Sequence, residues 1–257
     1  MSVLDDELKS LGIDLVDLED LAATQTVVGV LYGPFGGGKT RSFDTLPEKS
    51  GLYLNVENGE RSVVGSKAGK KIQISSIAQL AKVLVALKKD ISNGENTFPY
   101  LFIDSATDLY KREIAAQSKA SAADPTNNQQ DPDVPSPRDY MKVSKRVDRV
   151  INYAKDMPLT VIFTAAEQLI QDDNSIARIA PAMSPAVRDS FIMYSDFVLY
   201  LSSQSDGKRV MLTQQTGKYI AKCRMPVGKS IPPKILNPNL YDVIKAIRGE
   251  EIKFETP

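Results

Sequence analysis

The run Gly33-Pro34-Phe35-Gly36-Gly37-Gly38-Lys39-Thr40 constrains this chain more than any other segment. It fits G-x-x-x-x-G-K-[ST], a loop whose backbone amides cradle phosphates. The apolar run Val27–Tyr32 before it reads as a buried strand, and Lys39–Phe43 after it can open a helix. Glycines let successive N–H groups turn inward around an anion. A helix start adds free N–H groups and a positive dipole end. Gly33 through Gly38, with Pro34 and Phe35 among them and Lys39, Thr40 and Arg41 beyond, are therefore the expected nucleotide-binding residues. Lys39 is expected on the β- and γ-phosphates, and the Thr40 hydroxyl on Mg²⁺.

The segments that follow alternate. Gly51–Glu57 and Lys71–Ser75 read as strands, and Ile77, Leu80, Leu84 and Leu87 form a helical stripe. Phe98–Asp104 is a further strand, with a helix over Thr107–Lys119. Residues 121–137, rich in Asp, Asn, Gln, Pro and Ser, read as a mobile loop. A long helix over Arg138–Lys155 carries the stripe Val143, Val147, Val150, Ile151 and Ala154. Leu159–Thr164 reads as a strand, Gln168–Pro185 as a second loop, and a short helix follows to about Tyr194. In the last third, Asp196–Leu201, Arg209–Thr213 and Lys218–Arg224 read as strands on tight connections, which suits antiparallel additions to a parallel sheet. A helix over Leu240–Arg248 closes the chain. The expected class is α/β: a three-layer sandwich with a mostly parallel sheet, extended by antiparallel strands. Residues 1–23, with Leu4, Leu8 and Leu11, then Leu15, Leu18 and Leu21 around Gly12, read as an N-terminal helical arm ahead of a core spanning 24–257.

Composition narrows the chemistry. With 257 residues, one large α/β domain is expected. The 32 Lys and Arg balance 32 Asp and Glu, so any nucleic-acid surface must be a local patch. A single cysteine, Cys223, and no histidine exclude internal disulfides, Cys-based zinc sites and His-dependent triads. No signal peptide or membrane-spanning run is recognised, and a cytoplasmic location is expected.

Two carboxylates complete the reading. Tyr100-Leu101-Phe102-Ile103-Asp104 is an apolar strand ending in an acid, and a parallel strand presents its last residue where ligands bind in open α/β sheets. Asp104 is the expected second metal residue beside Thr40. Ser105 rather than Glu follows it, so the base must come from elsewhere. Glu57, closing Asn55-Val56-Glu57, is the expected catalytic carboxylate that orients attacking water, with Glu60 as a weaker substitute.

In this order the motifs resemble the RecA-like P-loop ATPases over roughly residues 25–225, closest to the small phage-encoded ATPases of recombination and single-strand annealing. The resemblance rests on the phosphate loop, Asn55-Val56-Glu57, Ile103-Asp104-Ser105, the long helix before Val161–Glu167, and Lys222-Cys223-Arg224. It implies Mg²⁺-dependent ATP hydrolysis by a homo-oligomer on single-stranded DNA. It also implies that Lys222 and Arg224 are catalytic cations reaching the ATP of a neighbouring subunit. One departure stands out: the usual polar sensor is replaced by Thr164-Ala165-Ala166, leaving Thr164 as a stand-in. The DNA path would follow residues 119–138 and 168–190, with further cations at Lys142, Lys145, Arg146 and Arg149 and at Lys67, Lys70 and Lys71. The readings set against this are a nucleoside-kinase type phosphotransferase, which would want a basic lid that 121–137 lacks, and a non-catalytic module switched by ATP.

Overall fold

A computed structural model describes residues 3–12, 26–125, 130–171 and 175–257. In chain order the elements are α1 (Val3–Ser10), β1 (Val28–Gly33), β2 (Gly51–Asn55), β3 (Gly69–Gln73), α2 (Ile77–Ser92), β4 (Tyr100–Asp104), α3 (Ala106–Ala122), α4 (Pro137–Lys155) and β5 (Thr160–Gln171). There follow β6 (Ala177–Pro181), α5 (Pro185–Tyr194), β7 (Phe197–Ser203), β8 (Arg209–Leu212), β9 (Lys222–Cys223), β10 (Lys234–Leu236) and α6 (Leu240–Ile247). The helix α1 is the first helix expected of the arm, and Gly12 follows it at φ 70. The second, carrying Leu15, Leu18 and Leu21, lies outside the described residues.

The strands run in the order β10-β8-β7-β1-β5-β4-β2-β3. From β7 to β3 every neighbouring pair is parallel. The C-terminal strands β8 and β10 add antiparallel at one edge. This is the expected RecA-like sandwich, and β10 is an addition that the short run Lys234–Leu236 did not signal. Side chains alternate between the sheet's faces. Val28, Val30, Leu101, Ile103, Val161 and Phe163 pack with Leu80, Leu84, Val143 and Ile151 of α2 and α4. Leu31, Tyr53, Phe102, Ile162 and Leu199 face the opposite layer, where Phe43, Leu46, Val243 and Ile244 cover them. The second layer is thin, built from α6 and the turn after the phosphate loop.

Three expectations are corrected. The helix after the phosphate loop is one short 3₁₀ turn, Thr40–Thr45, whose C-cap Leu46 is extended (ψ 156) because Pro47 follows it. The expected loop Gln168–Pro185 instead begins as a two-stranded ribbon: β5 runs on to Gln171 and pairs antiparallel with β6, Glu167 opposite Pro181 and Gln171 opposite Ala177. The strand expected over Lys218–Arg224 shrinks to Lys222–Cys223, since Gly217 sits at φ 56 and residues 216–220 turn back onto Ile179. The segment expected as a loop, 121–137, does connect α3 to α4, and its ends are tied. Asp139, fully buried, accepts hydrogen bonds from Ser121, Gln130 and Ser136 and forms a capping box at the start of α4. Burial resists its charge, yet these donors outweigh burial and hold its pKa below the usual carboxylate range.

Candidate functional site

The phosphate loop leaves the C-terminal end of β1 and rests on the backbone of β7. Gly33 (φ 154) lies so close that a Cβ there would stand 2.0 Å from the Leu201 carbonyl oxygen, and one at Gly37 would stand 2.8 Å from it. Only glycine allows that approach together with that backbone angle. Tyr32, the last residue before the loop, donates its hydroxyl to the carbonyls of Ile179 (2.9 Å) and Ile220 (2.7 Å), tying the ribbon to the loop's base. Because the following turn is short, the cradle depends on loop amides more than on a helix dipole.

The loop closes onto β4. Thr40 Oγ1 donates to Asp104 Oδ2 at 2.6 Å. Tyr53 of β2 donates to the same oxygen at 2.7 Å, and Thr164 of β5 donates to Asp104 Oδ1. The register explains the meeting: Asn55 pairs with Asp104, and Ile103 with Phe163, so the ends of β2 and β4 lie beside Thr164 in the middle of β5. Burial, then the charge of Asp104, push the Tyr53 hydroxyl pKa well up, so it stays a donor. Thr164 is buried behind Asp104 and does not line the cavity; Ala166 does. The expected sensor thus serves to orient a carboxylate.

A cavity of about 550 Å³ opens over the loop, walled by Phe35, Gly36, Gly38, Lys39, Thr40 and Arg41 on one side and by Glu57, Asp104 and Asp108 on the other. Lys39 Nζ curls back to the carbonyls of Gly33 and Pro34, both at 2.9 Å. Burial lowers its pKa, while the charges of Asp104, Glu57 and Glu167 oppose that. Its bonds to the two carbonyls are neutral-acceptor bonds, which a phosphate oxygen would replace with stronger ones. Glu57 stands on the cavity wall just past β2. Crowding by the protein pushes its carboxyl up to about 7, burial first and then the hydrogen bond with Asp108, with Ser105 pulling the other way. Its exposure to the open cavity tempers the effect.

Tyr53, Ser105, Asp108, Lys111, Arg112 and Arg209 are cavity or carboxylate neighbours that sequence reasoning did not find. Glu60 takes another direction: it pairs with Lys71 and Asn55 and lies away from this cavity.

Thr40 and Asp104 offer hard oxygen donors, which suit Mg²⁺. Among the described residues no cluster of three or more His, Cys, Asp or Glu could hold a metal alone. The donor set therefore fits a cation shared with phosphate oxygens.

Lys222 and Arg224 are not brought to this cavity. The strand β9 pairs with the N-terminal end of β7, Lys222 opposite Val198, whereas the phosphate loop sits at the C-terminal end. Arg224 pairs with Asp196 at 3.4 Å and donates to the Met193 carbonyl at 2.7 Å. Burial, then the Arg224 charge, lower the Lys222 pKa.

A phosphate loop on β1, separated by β5 from a carboxylate at the tip of β4, defines a P-loop NTPase domain of RecA-like topology. The chain belongs to the AAA domain family, whose pattern matches residues 25–225. Among solved structures it is similar to a KaiC-like protein of the hyperthermophilic archaeon Pyrococcus horikoshii OT3, with 14% identity and a TM-score of 0.44 over 74% of this chain and 79% of that one. No curated protein matches. Among the described residues no helix is long and apolar enough to cross a membrane.

Proposed function

We propose that this protein is a Mg²⁺-dependent ATPase that acts as a homo-oligomer on single-stranded DNA, in phage recombination or replication within the host cytoplasm. The observation that carries the ATPase reading is the 2.6 Å contact of Thr40 with Asp104 beneath a cavity that Lys39 and Glu57 share. Loop, lysine and carboxylates line one cavity of about 550 Å³.

In this reading the loop amides and Lys39 hold the triphosphate and draw charge off its terminal oxygens. Magnesium, when bound with the nucleotide, would neutralise β- and γ-phosphate charge. Thr40 and Asp104 would hold it, with Tyr53 and Thr164 fixing the Asp104 carboxylate. Glu57 accepts the proton of the attacking water as that water's oxygen bonds to the γ-phosphorus, while the bond from the γ-phosphorus to the β–γ bridging oxygen breaks and its electron pair leaves with ADP. A base whose pKa is raised toward neutrality suits that task. Lys222 and Arg224 serve the site of the adjacent subunit, which is consistent with their distance from their own loop, and residues 1–23 serve as an arm outside the core 24–257.

The DNA reading is supported by the resemblance and by the polar face of α4, where Lys145 and Arg149 are exposed. Arg146 is partly drawn off by Glu113 at 3.5 Å and by Gln117 at 2.7 Å, and Lys67 and Lys71 are paired with Glu48 and Glu60.

The test is Glu57→Gln. It keeps the shape and hydrogen-bonding capacity of the side chain but cannot take the proton. ATP binding should remain within a few-fold of the parent, while turnover falls on the order of 10²-fold or more, the usual worth of a positioned base. Unchanged turnover would remove Glu57 from the mechanism, whereas a parent protein that binds ATP without turning it over would favour the ATP-switched module.

A further inference from the structure

The sheet order sets the acids and Arg209 on opposite sides of the phosphate loop. Asp104 lies on β4, two strands from β1 on one side, and Arg209 lies on β8, two strands from β1 on the other. Glu57 and Asp108 stand on the Asp104 side of the same cavity, and Arg209 lines it too. With strands about 4.8 Å apart, the β8 and β4 ends are separated by roughly 19 Å, the scale of a nucleotide laid across the strand tips.

Arg209 is held for such a role. Its backbone is clamped by Asn237: Arg209 N donates to Asn237 Oδ1 at 3.3 Å, and Asn237 N donates to the Arg209 carbonyl at 2.8 Å. Its side chain lies flat against the loop, so that a Cβ on Gly38 would stand 2.4 Å from Arg209 Nε and 2.9 Å from Cζ. It is half-buried, and its guanidinium takes part in none of the hydrogen bonds or ion pairs found among the described residues. The cavity's other cations are differently placed. Lys39 caps loop carbonyls, Arg112 donates to the Val56 carbonyl at 2.8 Å on the acidic side, Lys111 is exposed on α3 beside Arg112, and Arg41 is exposed in the turn after the loop.

We propose that Arg209 is a phosphate-binding residue acting within its own chain: its guanidinium takes non-bridging oxygens of the α- and β-phosphates, at the end of the nucleotide away from Asp104. This rests on the nucleotide-binding reading and deepens it. The γ-phosphate belongs with Lys39, Asp104 and Glu57, so the Arg209 contact is made equally to ADP and ATP. A planar fork matches two phosphate oxygens, whereas lysine offers one point of contact.

The experiment is calorimetric titration of the full-length parent, Arg209→Ala, Arg209→Lys and Lys39→Ala with Mg·ATP, Mg·ADP and adenosine, with melting curves of each apo protein. Arg209→Ala should weaken ATP and ADP alike, by about 10- to 100-fold, as expected for loss of a charged hydrogen-bonded contact. Its melting temperature should match the parent, and Arg209→Lys should recover part of the loss. ADP affinity within twofold of the parent in Arg209→Ala overturns the proposal and leaves the nucleotide site standing if Lys39→Ala still abolishes binding. A loss confined to ATP overturns it as well, since it would move the guanidinium to the γ-phosphate. A parent protein that takes up no nucleotide overturns both this proposal and the reading beneath it.

Discussion

Asp104 is 3% exposed and its charge is held in place by three hydroxyls, so removing one should be costly in a measurable way. Tyr53→Phe is the cleanest such change. The ring is wedged against Phe43 and Phe102, with centroids 5.3 and 5.9 Å away, and phenylalanine keeps those contacts. Only the hydroxyl is lost, and with it a 2.7 Å hydrogen bond to a buried carboxylate oxygen. A hydrogen bond to a charged group contributes about 1.5–3 kcal/mol. In a domain of this size each kcal/mol shifts the melting temperature by about 2–4 °C, so the apo protein should melt roughly 3–12 °C lower. Adding Thr40→Val should cost more than the sum of the two single changes, because either hydroxyl alone still serves Oδ2 and only the double change removes both donors. Thermal melts followed by circular dichroism would measure both effects. A Tyr53→Phe protein that melts within a degree of the parent would refute the claim that these hydroxyls stabilise the carboxylate.

The remaining expectations concern turnover, assembly and DNA. Parent turnover should rise with pH as Glu57 loses its proton, with a midpoint at or below about 7, and Glu57→Gln should flatten that limb; an identical profile in the variant would assign it to another group. Lys39→Ala subunits and Lys222→Ala subunits should each be inactive alone, yet a mixture should regain part of the parent activity, because some interfaces then pair an intact loop with an intact Lys222. Absence of rescue in a mixture shown to co-assemble would count against shared sites. Oligonucleotide binding should weaken with salt, by a log–log slope of about −0.7 per phosphate contacted. A salt-independent signal would point to a protein partner instead.

Much of the architecture is readable along the chain because its signals are local. The apolar run before Gly33, the acid closing Tyr100–Asp104 and the valine stripe of α4 each reflect a period or motif that neighbours in sequence suffice to define. The pairing of Glu167–Gln171 with Ala177–Pro181 leaves no clear mark in the sequence, because these residues run out of the main sheet, are mostly only partly buried and alternate weakly. The shortness of the 3₁₀ segment at Thr40 is set by Pro47, seven residues on, which fixes where the chain must become extended.

What the sequence determined by itself is the kind of site: an amide nest, a lysine, a hydroxyl and two acids, all marked by short-range pattern. Which groups surround those residues was decided only by tertiary structure. Tyr53 and Thr164 reach Asp104, and Arg209 reaches Gly38, through strand register and sheet order, across 51, 60 and 171 residues of chain. Contacts of that kind arise from burying both faces of one sheet together, and no local period in the chain carries them.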